Sequence, residues 1–325
     1  YAGFDPTADS LHVGNLVPLL LLRRFQDAGH RPVALAGGAT GMIGDPGGRS
    51  AERNLLDAAT LDTNLAAIVP QLEMLLDFTP GARQAVLVDN RDWTGPMGVL
   101  EFLRDIGKHV TVNAMLAKES VRSRVESEAG ISYTEFSYML LQANDYRHLH
   151  TSLGVELQVG GSDQWGNITA GIDLVRRTSG AHVHGLTVPL VTRADGQKFG
   201  KSVDGAVWLS PERTSPYAFF QYFVNVDDRD VERFLLQLTL LPVAEVGAVM
   251  TTHAADPGAR GAQRRLALEV TSLVHGRDEA ERAAGASTGF TRSAADLTDA
   301  DWEELAASLP VIDIPDAALG TEPVS

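Results

Sequence analysis

Three groups of residues in this 325-residue chain have the types and spacing for chemistry. The first is Leu11-His12-Val13-Gly14-Asn15, a tight loop opening a helix. His12 and Asn15 stand at i and i+3 in its first turn, and Gly14 between them admits a flat ligand to the backbone. Free N–H groups and the positive dipole end at such a terminus favour phosphate. The same spacing also fits an ordinary helix start capped by Asp9 or Ser10, with an incidental histidine. The second group is Lys198-Phe199-Gly200-Lys201-Ser202, in a loop that contains Asp195-Gly196 and follows an extended run. Two lysines three apart can wrap a polyphosphate as mobile point charges, and they equally suit a solvated basic loop. In the third group, Tyr138, Gln142 and Asp145 recur at i, i+4 and i+7, which places them on one helix face. A core-facing helix would not put an acid and an amide on the stripe of its tyrosine. Asp163 and Gln164 follow Gly160-Gly161, at a strand end where open α/β sheets bind ligands; Ser162 or Asp163 would also serve as a helix cap. The pairs His148/His150 and His182/His184 lack an evident third ligand, so no metal site is expected.

Elements that converge at their ends must position these groups. Residues 1–4 read as a first strand, and extended runs at 31–36, 84–89, 155–159 and 185–191 alternate with amphipathic stretches at 11–28, 61–77, 97–108, 134–148 and 163–177. This alternation predicts an α/β fold, a Rossmann-like parallel sheet with helices on both faces. From Ser215 the pattern is helical only, at 216–225, 228–240, 243–253, 259–275 and 277–286. The expected division is a catalytic domain at 1–209, with a helical insertion at about 95–130, and an all-α domain at 215–290. A linker or tail at 291–325 would hold one helix near 298–308 and lead toward a further domain. The chain opens without methionine and reads as a fragment.

Composition narrows the classes. The 44% hydrophobic content and 21% charge are those of an ordinary globular protein. There is no cysteine, which excludes disulfides and a thiolate nucleophile and fits a reducing compartment; a cytoplasmic location is expected. The longest apolar run, 16–22, is far short of the ~20 residues of a membrane span, so no membrane partner is expected. Lys+Arg 27 against Asp+Glu 42 gives a net charge of −15, the wrong sign for binding nucleic acid by overall field.

The pair LHVGN and KFGKS resembles the HIGH and KMSKS signatures of class I aminoacyl-tRNA synthetases. With GGATGMIGDP at 37–46, YTEFSYMLLQAND at 133–145 and VGGSDQWGN at 159–167, the chain resembles the bacterial tyrosyl-tRNA synthetases from Tyr1 to about Gly276. The resemblance implies activation of L-tyrosine by ATP, with Mg²⁺, followed by transfer to tRNA(Tyr). It implies that Tyr138 and Gln142 hold the α-amino group with Asp45 as counter-charge, and that Tyr1 and Asp145 bind the phenolic hydroxyl. Thr40 and Asn90 would buttress Asp45 and Tyr138, and Gln164 would meet the amino-acid carboxylate. ATP would lie on Gly3, Asp5, Gly14, Asn15, Gly161, Asp163 and Ser202. Thr7, His12, Lys198, Lys201, Arg49 and Arg53 would stabilise the β,γ-phosphates. Asn15 departs from the usual final histidine of its motif, and Phe199-Gly200 from the usual letters of theirs. The family's C-terminal RNA-binding domain has no counterpart here, and a homodimer through 95–129 is expected.

Two other classes remain open on sequence: an RNA-binding or scaffolding protein that has lost activation chemistry, and a nucleotidyltransferase for another carboxylate. Intact Tyr1, His12, Asp145, Lys198 and Lys201 weigh against the first, and the Tyr1/Asp145 pair against the second.

Overall fold

The computed structural model describes residues 1–46, 55–126, 130–194, 199–202 and 205–289, together with 298, 302 and 306; at 119, 120, 123, 201, 202, 288 and 289 it describes the backbone alone. The chain divides into two compact units, Tyr1–Ser210 and Pro211–Ser325.

The first unit alternates strand and helix as its hydrophobic pattern requires. Its elements are β1 (Ala2–Phe4), α1 (Val13–Asp27), β2 (Val33–Ala36), α2 (Ala58–Leu75), β3 (Val86–Asp89), α3 (Arg91–Thr94), α4 (Val99–Asp105), α5 (Val112–Leu116), α6 (Glu119–Val125), α7 (Tyr133–Leu153), β4 (Leu157–Gly161), α8 (Trp165–Ser179), β5 (His184–Val188), β6 (Lys201–Ser202) and β7 (Gly205–Ala206). Strands β1, β2 and β3 form one parallel sheet in that order, and β4 and β5 a second parallel pair. Tyr1 joins them: its nitrogen donates to the Leu157 carbonyl at 2.6 Å, and its carbonyl accepts from the Val159 N–H at 2.8 Å. Those two bonds flank Gln158 in the parallel pattern, giving the spatial order 3-2-1-4-5. The crevice between β1 and β4 is thus where a doubly wound sheet reverses and binds its ligand. Strand β2 is buried throughout, as a central parallel strand covered on both faces must be.

Several expected boundaries move. The strand expected at 185–191 is β5 and ends at Val188. The helix expected at 97–108 is α4 plus a separate 3₁₀ turn at Gly107–His109. The segment after Gly200, expected as a loop, pairs β6 with β7 as a small antiparallel hairpin. Helix α1 is capped neither by Asp9 nor by Ser10 but by His12. The Ser10 hydroxyl is engaged elsewhere, donating to Leu11 and Gln71 and accepting from the Ser210 N–H. Neither Ser162 nor Asp163 caps α8; 162–164 is a 3₁₀ turn and Gln164 precedes the helix without a side-chain cap bond.

The second unit contains α9 (Pro216–Val224), α10 (Asp228–Leu238), α11 (Val243–Ala255), α12 (Gly261–His275) and α13 (Arg277–Gly289). Phe219, Phe223, Phe234, Leu235, Leu266 and Val270 form its interior, at helix spacing on α9, α10 and α12. The expected helix at 298–308 and tail at 310–325 lie almost wholly outside the described residues.

Candidate active site

Residues proposed from the sequence gather at the C-terminal ends of the strands. Asp5 and Thr7 follow β1, Thr40 and Asp45 follow β2, Asn90 follows β3, and Gly161, Asp163 and Gln164 close β4. Helix α7 brings Tyr138, Gln142 and Asp145 to the same end on one face; Tyr138 and Asp145 are buried and Gln142 is half-buried.

Asp145 sits deepest. Asn90 Nδ2 donates to its Oδ2 at 3.1 Å and Trp93 Nε1 to its Oδ1 at 2.8 Å. Burial pushes its pKa up to about 7, against the lowering effect of those two bonds. Tyr1 packs edge-on to Tyr146, with ring centroids 5.3 Å apart, and its phenol feels the Asp145 charge. Among the described residues the buried Tyr1 hydroxyl has no hydrogen-bond partner. A buried orphan hydroxyl is costly unless a ligand completes it, so this is the strongest local sign of a polar guest. Gln158, beside Tyr1 in the sheet, also leaves a buried Oε1 unpartnered. Sequence reading passes over Gln158 and Trp93, although Trp93 stands three residues after Asn90 at the same strand end.

A second hub is Asp5, which the resemblance assigns to ATP. It accepts from Tyr138 at 2.8 Å and from Thr40 at 2.6 Å. Gly37 is required here, because a β-carbon on it would collide with the Asp5 carboxylate. Asn90 also donates to Thr40 at 3.0 Å and accepts from the Ala39 N–H at 2.7 Å. Thr40 and Asn90 brace Asp5 and Asp145, and because Asp5 accepts from Tyr138 they support through it the tyrosine that the resemblance has them buttress. The short 3₁₀ turn Thr40–Met42 brings the Thr40 hydroxyl to Asp5. Asp45 instead meets Gln164 Nε2 at 2.8 Å and Asn167 Nδ2 at 3.3 Å, and Gln142 Nε2 reaches Gln164 at 3.3 Å. Asp45, Gln142 and Gln164 thus form one polar cluster, to which the structure adds Asn167. Asp163 is exposed, folded back over Gly161.

At the start of α1, His12 Nδ1 accepts from the Gly14 N–H at 3.0 Å, while Asn15 Oδ1 accepts from the His12 N–H at 3.0 Å. This reciprocal capping box occupies one acceptor of each side chain. Protein crowds the otherwise exposed His12 and lowers its pKa, so near pH 7 it is neutral. With Nδ1 accepting, its proton resides on Nε2. Both side chains are left with donors, His12 Nε2–H and the Asn15 amide, beside the positive end of a helix. The two signature segments meet there. Val13 N–H donates to Val207 O at 3.0 Å and Val207 N–H to Gly200 O at 2.9 Å, so residue 207 stitches the β6–β7 hairpin to α1. Gly200 has φ +82°, and a β-carbon there would fall 2.8 Å from Val13 Cγ2. Gly3, on β1, and Thr7, just beyond the carboxyl end of that strand, are exposed. Lys198, Arg49 and Arg53 lie outside the described residues, as do the side chains of Lys201 and Ser202.

Among the described residues no three His, Asp or Glu side chains converge as metal ligands. His148 stacks on Trp93, and His150 Nδ1 lies 2.9 Å from the Val155 carbonyl. A cavity of about 490 Å³ lies at the other end of the sheet, lined by Pro32, Val86, Val155 and His184 at the strand starts. It opens opposite the carboxyl ends, where open α/β sheets bind their ligands, and Tyr1 is the site residue that also lines it.

The family described as tRNA synthetases class I (W and Y) matches residues 1–291. A tyrosine–tRNA ligase of Opitutus terrae is 62% identical over 287 residues, 88% of this chain and 68% of that protein. The tyrosine–tRNA ligase of Geobacillus stearothermophilus is 53% identical over 306 residues, covering 94% of this chain and 73% of that one. A C-terminally truncated mitochondrial tyrosyl-tRNA synthetase of Aspergillus nidulans superposes with a TM-score of 0.81 at 33% identity, over 89% of this chain and 85% of that one.

Proposed function

The chain belongs to the class I tRNA synthetases of the tryptophan and tyrosine branch, and from that premise we propose how its residues divide the work of a tyrosine–tRNA ligase. The activity joins tyrosine and ATP and then esterifies tRNA. In the first step a tyrosine carboxylate oxygen attacks the α-phosphorus of ATP, the bond from that phosphorus to the bridging oxygen breaks, and pyrophosphate leaves with its electron pair. In the second, the terminal ribose hydroxyl of tRNA attacks the tyrosyl carbonyl and AMP leaves.

The phenol of the substrate enters between Tyr1 and Asp145, completing the orphan Tyr1 hydroxyl and bonding the carboxylate that Asn90 and Trp93 hold. The buried, unpartnered Tyr1 hydroxyl beside Asp145 is the observation that carries this reading. Phenylalanine would leave both groups unmatched, and tyrosyl-tRNA synthetases are themselves the standing example of discrimination by stranded polar groups. Tyr138, Gln142 and Asp45 receive the ammonium group, with Asp5 orienting Tyr138 and Gln164 lying toward the carboxylate. Gly3, Gly161 and Asp163 line the adenosine side.

His12 and Asn15 donate to phosphate and ribose oxygens from the start of α1, with Gly14 open between them. Thr7, Lys198, Lys201, Ser202, Arg49 and Arg53 complete the cage on the leaving pyrophosphate. Contacts that tighten as charge moves onto the leaving group raise the rate rather than the affinity. No convergent carboxylates supply a protein cage for Mg²⁺ among the described residues, so the ion would arrive on the phosphates of ATP.

The homodimer is supported by α4 and α5, where Val99, Leu100 and Val112 are 71%, 78% and 59% exposed. Among the described residues no helix is long and apolar enough to cross a membrane, and the absence of cysteine favours the cytoplasm. ATP–pyrophosphate exchange across the twenty amino acids tests the whole reading: signal with tyrosine is expected, and signal with another amino acid alone, or none, overturns it.

A further inference from the structure

We propose that His148 is a positioning residue for tyrosine selection, holding the indole of Trp93 in the plane from which its N–H reaches Asp145. The inference rests on the reading of Asp145 as the phenol acceptor. Trp93 sits on α3, only four residues long, which by itself fixes little. Its Nε1–H bonds Asp145 at 2.8 Å and its ring packs against the cluster that contains Tyr1, Leu35 and Tyr146, but neither contact by itself sets the tilt of the indole plane. The face of the indole is covered by His148, with ring centroids 4.3 Å apart and planes 11° from parallel. Asp145 and His148 are three residues apart on α7, so one turn of that helix grips the indole twice, at its edge and on its face. A stack fixes the plane that the hydrogen bond leaves loose.

The state of His148 suits this role. Burial, and secondarily the charge of Arg147, lower its pKa, so the ring is neutral near pH 7 and packs as an uncharged aromatic. The consequence passes to Asp145. Among the described residues, the hydrogen bonds from Asn90 and Trp93 counter the burial that drives this carboxyl toward protonation. If the indole swings away, the carboxyl gains a proton at a higher pH and ceases to be a pure acceptor for the substrate hydroxyl. His148 touches no substrate; it acts through Trp93.

The test is ATP–pyrophosphate exchange with tyrosine and with phenylalanine for the unsubstituted chain, His148→Ala, His148→Phe, Trp93→Phe and the Trp93→Phe/His148→Ala double variant. His148→Ala is expected to lower the tyrosine-over-phenylalanine ratio of kcat/KM by about 3- to 10-fold, the scale of coupling between contacting residues. The loss should fall mainly on KM for tyrosine, and the pH midpoint of discrimination should move upward. His148→Phe keeps the stack and should restore the ratio, while in the double variant the alanine should add nothing to Trp93→Phe. An NMR readout is independent of activity: the Trp93 indole N–H, assigned by its disappearance in Trp93→Phe, should exchange faster with solvent in His148→Ala. A ratio and an N–H protection unchanged in His148→Ala, or additive effects in the double variant, overturn the proposal. No tyrosine-dependent exchange by the unsubstituted chain overturns the activity itself, and the role of His148 falls with it.

Discussion

Asp145 is a carboxylic acid that folding pushes toward its neutral form, with a pKa of about 7 against an ordinary 3.8. Between those values the folded chain keeps a proton that the unfolded chain releases, so stability is lost as pH rises through this window. Asp145→Asn removes that linkage. From pH 4 to pH 8 its stability relative to the unsubstituted chain should rise by on the order of 2–4 kcal/mol, read from urea midpoints at each pH. A constant difference across that range would mean that Asp145 is ionised throughout. Its partner across the phenol site, Tyr1, has a buried hydroxyl with no partner among the described residues. Tyr1→Phe should therefore cost discrimination against phenylalanine by about 1–3 kcal/mol in exchange assays, with the phenylalanine rate little changed. An unchanged ratio would locate hydroxyl recognition elsewhere.

Among the elements, the meeting of α1 with the β6–β7 hairpin matters most for the chemistry. One residue, Val207, bonds to both through its backbone, and Gly200 lets the hairpin lie against Val13. Gly200→Ala would place a β-carbon against Val13 at a left-handed φ, a conformation that costs L-residues about 1–2 kcal/mol. The hairpin carries Lys201 at its first strand, so displacement should slow adenylate formation at least about 10-fold while tyrosine affinity, set on α7, holds. Stopped-flow formation and equilibrium tyrosine binding separate the two; equal losses in both would show a general collapse rather than a misplaced hairpin. Further along, α6 is anchored to the first turn of α7 by the buried Arg124–Glu135 pair at 2.9 Å, with side chains 4% and 2% exposed. Such a pair costs more to break than it contributes intact, so it fixes position more than it adds stability.

Across the whole molecule the charge is −15, and any tRNA contact must come from locally concentrated lysines and arginines. RNA binding by few cations against a repulsive field weakens steeply with salt. Aminoacylation should fall by about 10-fold or more between roughly 50 and 200 mM salt, while pyrophosphate exchange changes far less. Parallel salt profiles would place the limiting step before tRNA binding. The apolar surface of α4 and α5 makes a second prediction at this scale. Sedimentation at micromolar concentration should show a dimer, and Leu100→Glu should shift it to monomer by burying a charge in the interface. A monomeric unsubstituted chain would remove that surface from assembly.

The alternation of short extended runs with amphipathic stretches is legible in the sequence because side-chain periodicity directly reflects which face is buried, and it leads to the parallel α/β architecture. So is the stripe of Tyr138, Gln142 and Asp145, since helical spacing alone puts i, i+4 and i+7 on one face. What stands opposite that stripe is not legible. Trp93 and Asn90 reach Asp145 across more than fifty residues of sequence, Tyr138 finds Asp5 across 133, and no local pattern encodes either. The cap of α1 escapes sequence reading for a related reason: several residues stand close enough to the helix start to serve, and the distant Gln71 and Ser210 engage Ser10 while His12 takes the cap. Local propensity and periodicity set the elements and the faces they present. Long-range hydrogen bonds in a desolvated crevice decide which partners those faces meet, and with them the tautomer of His12 and the elevated pKa of Asp145.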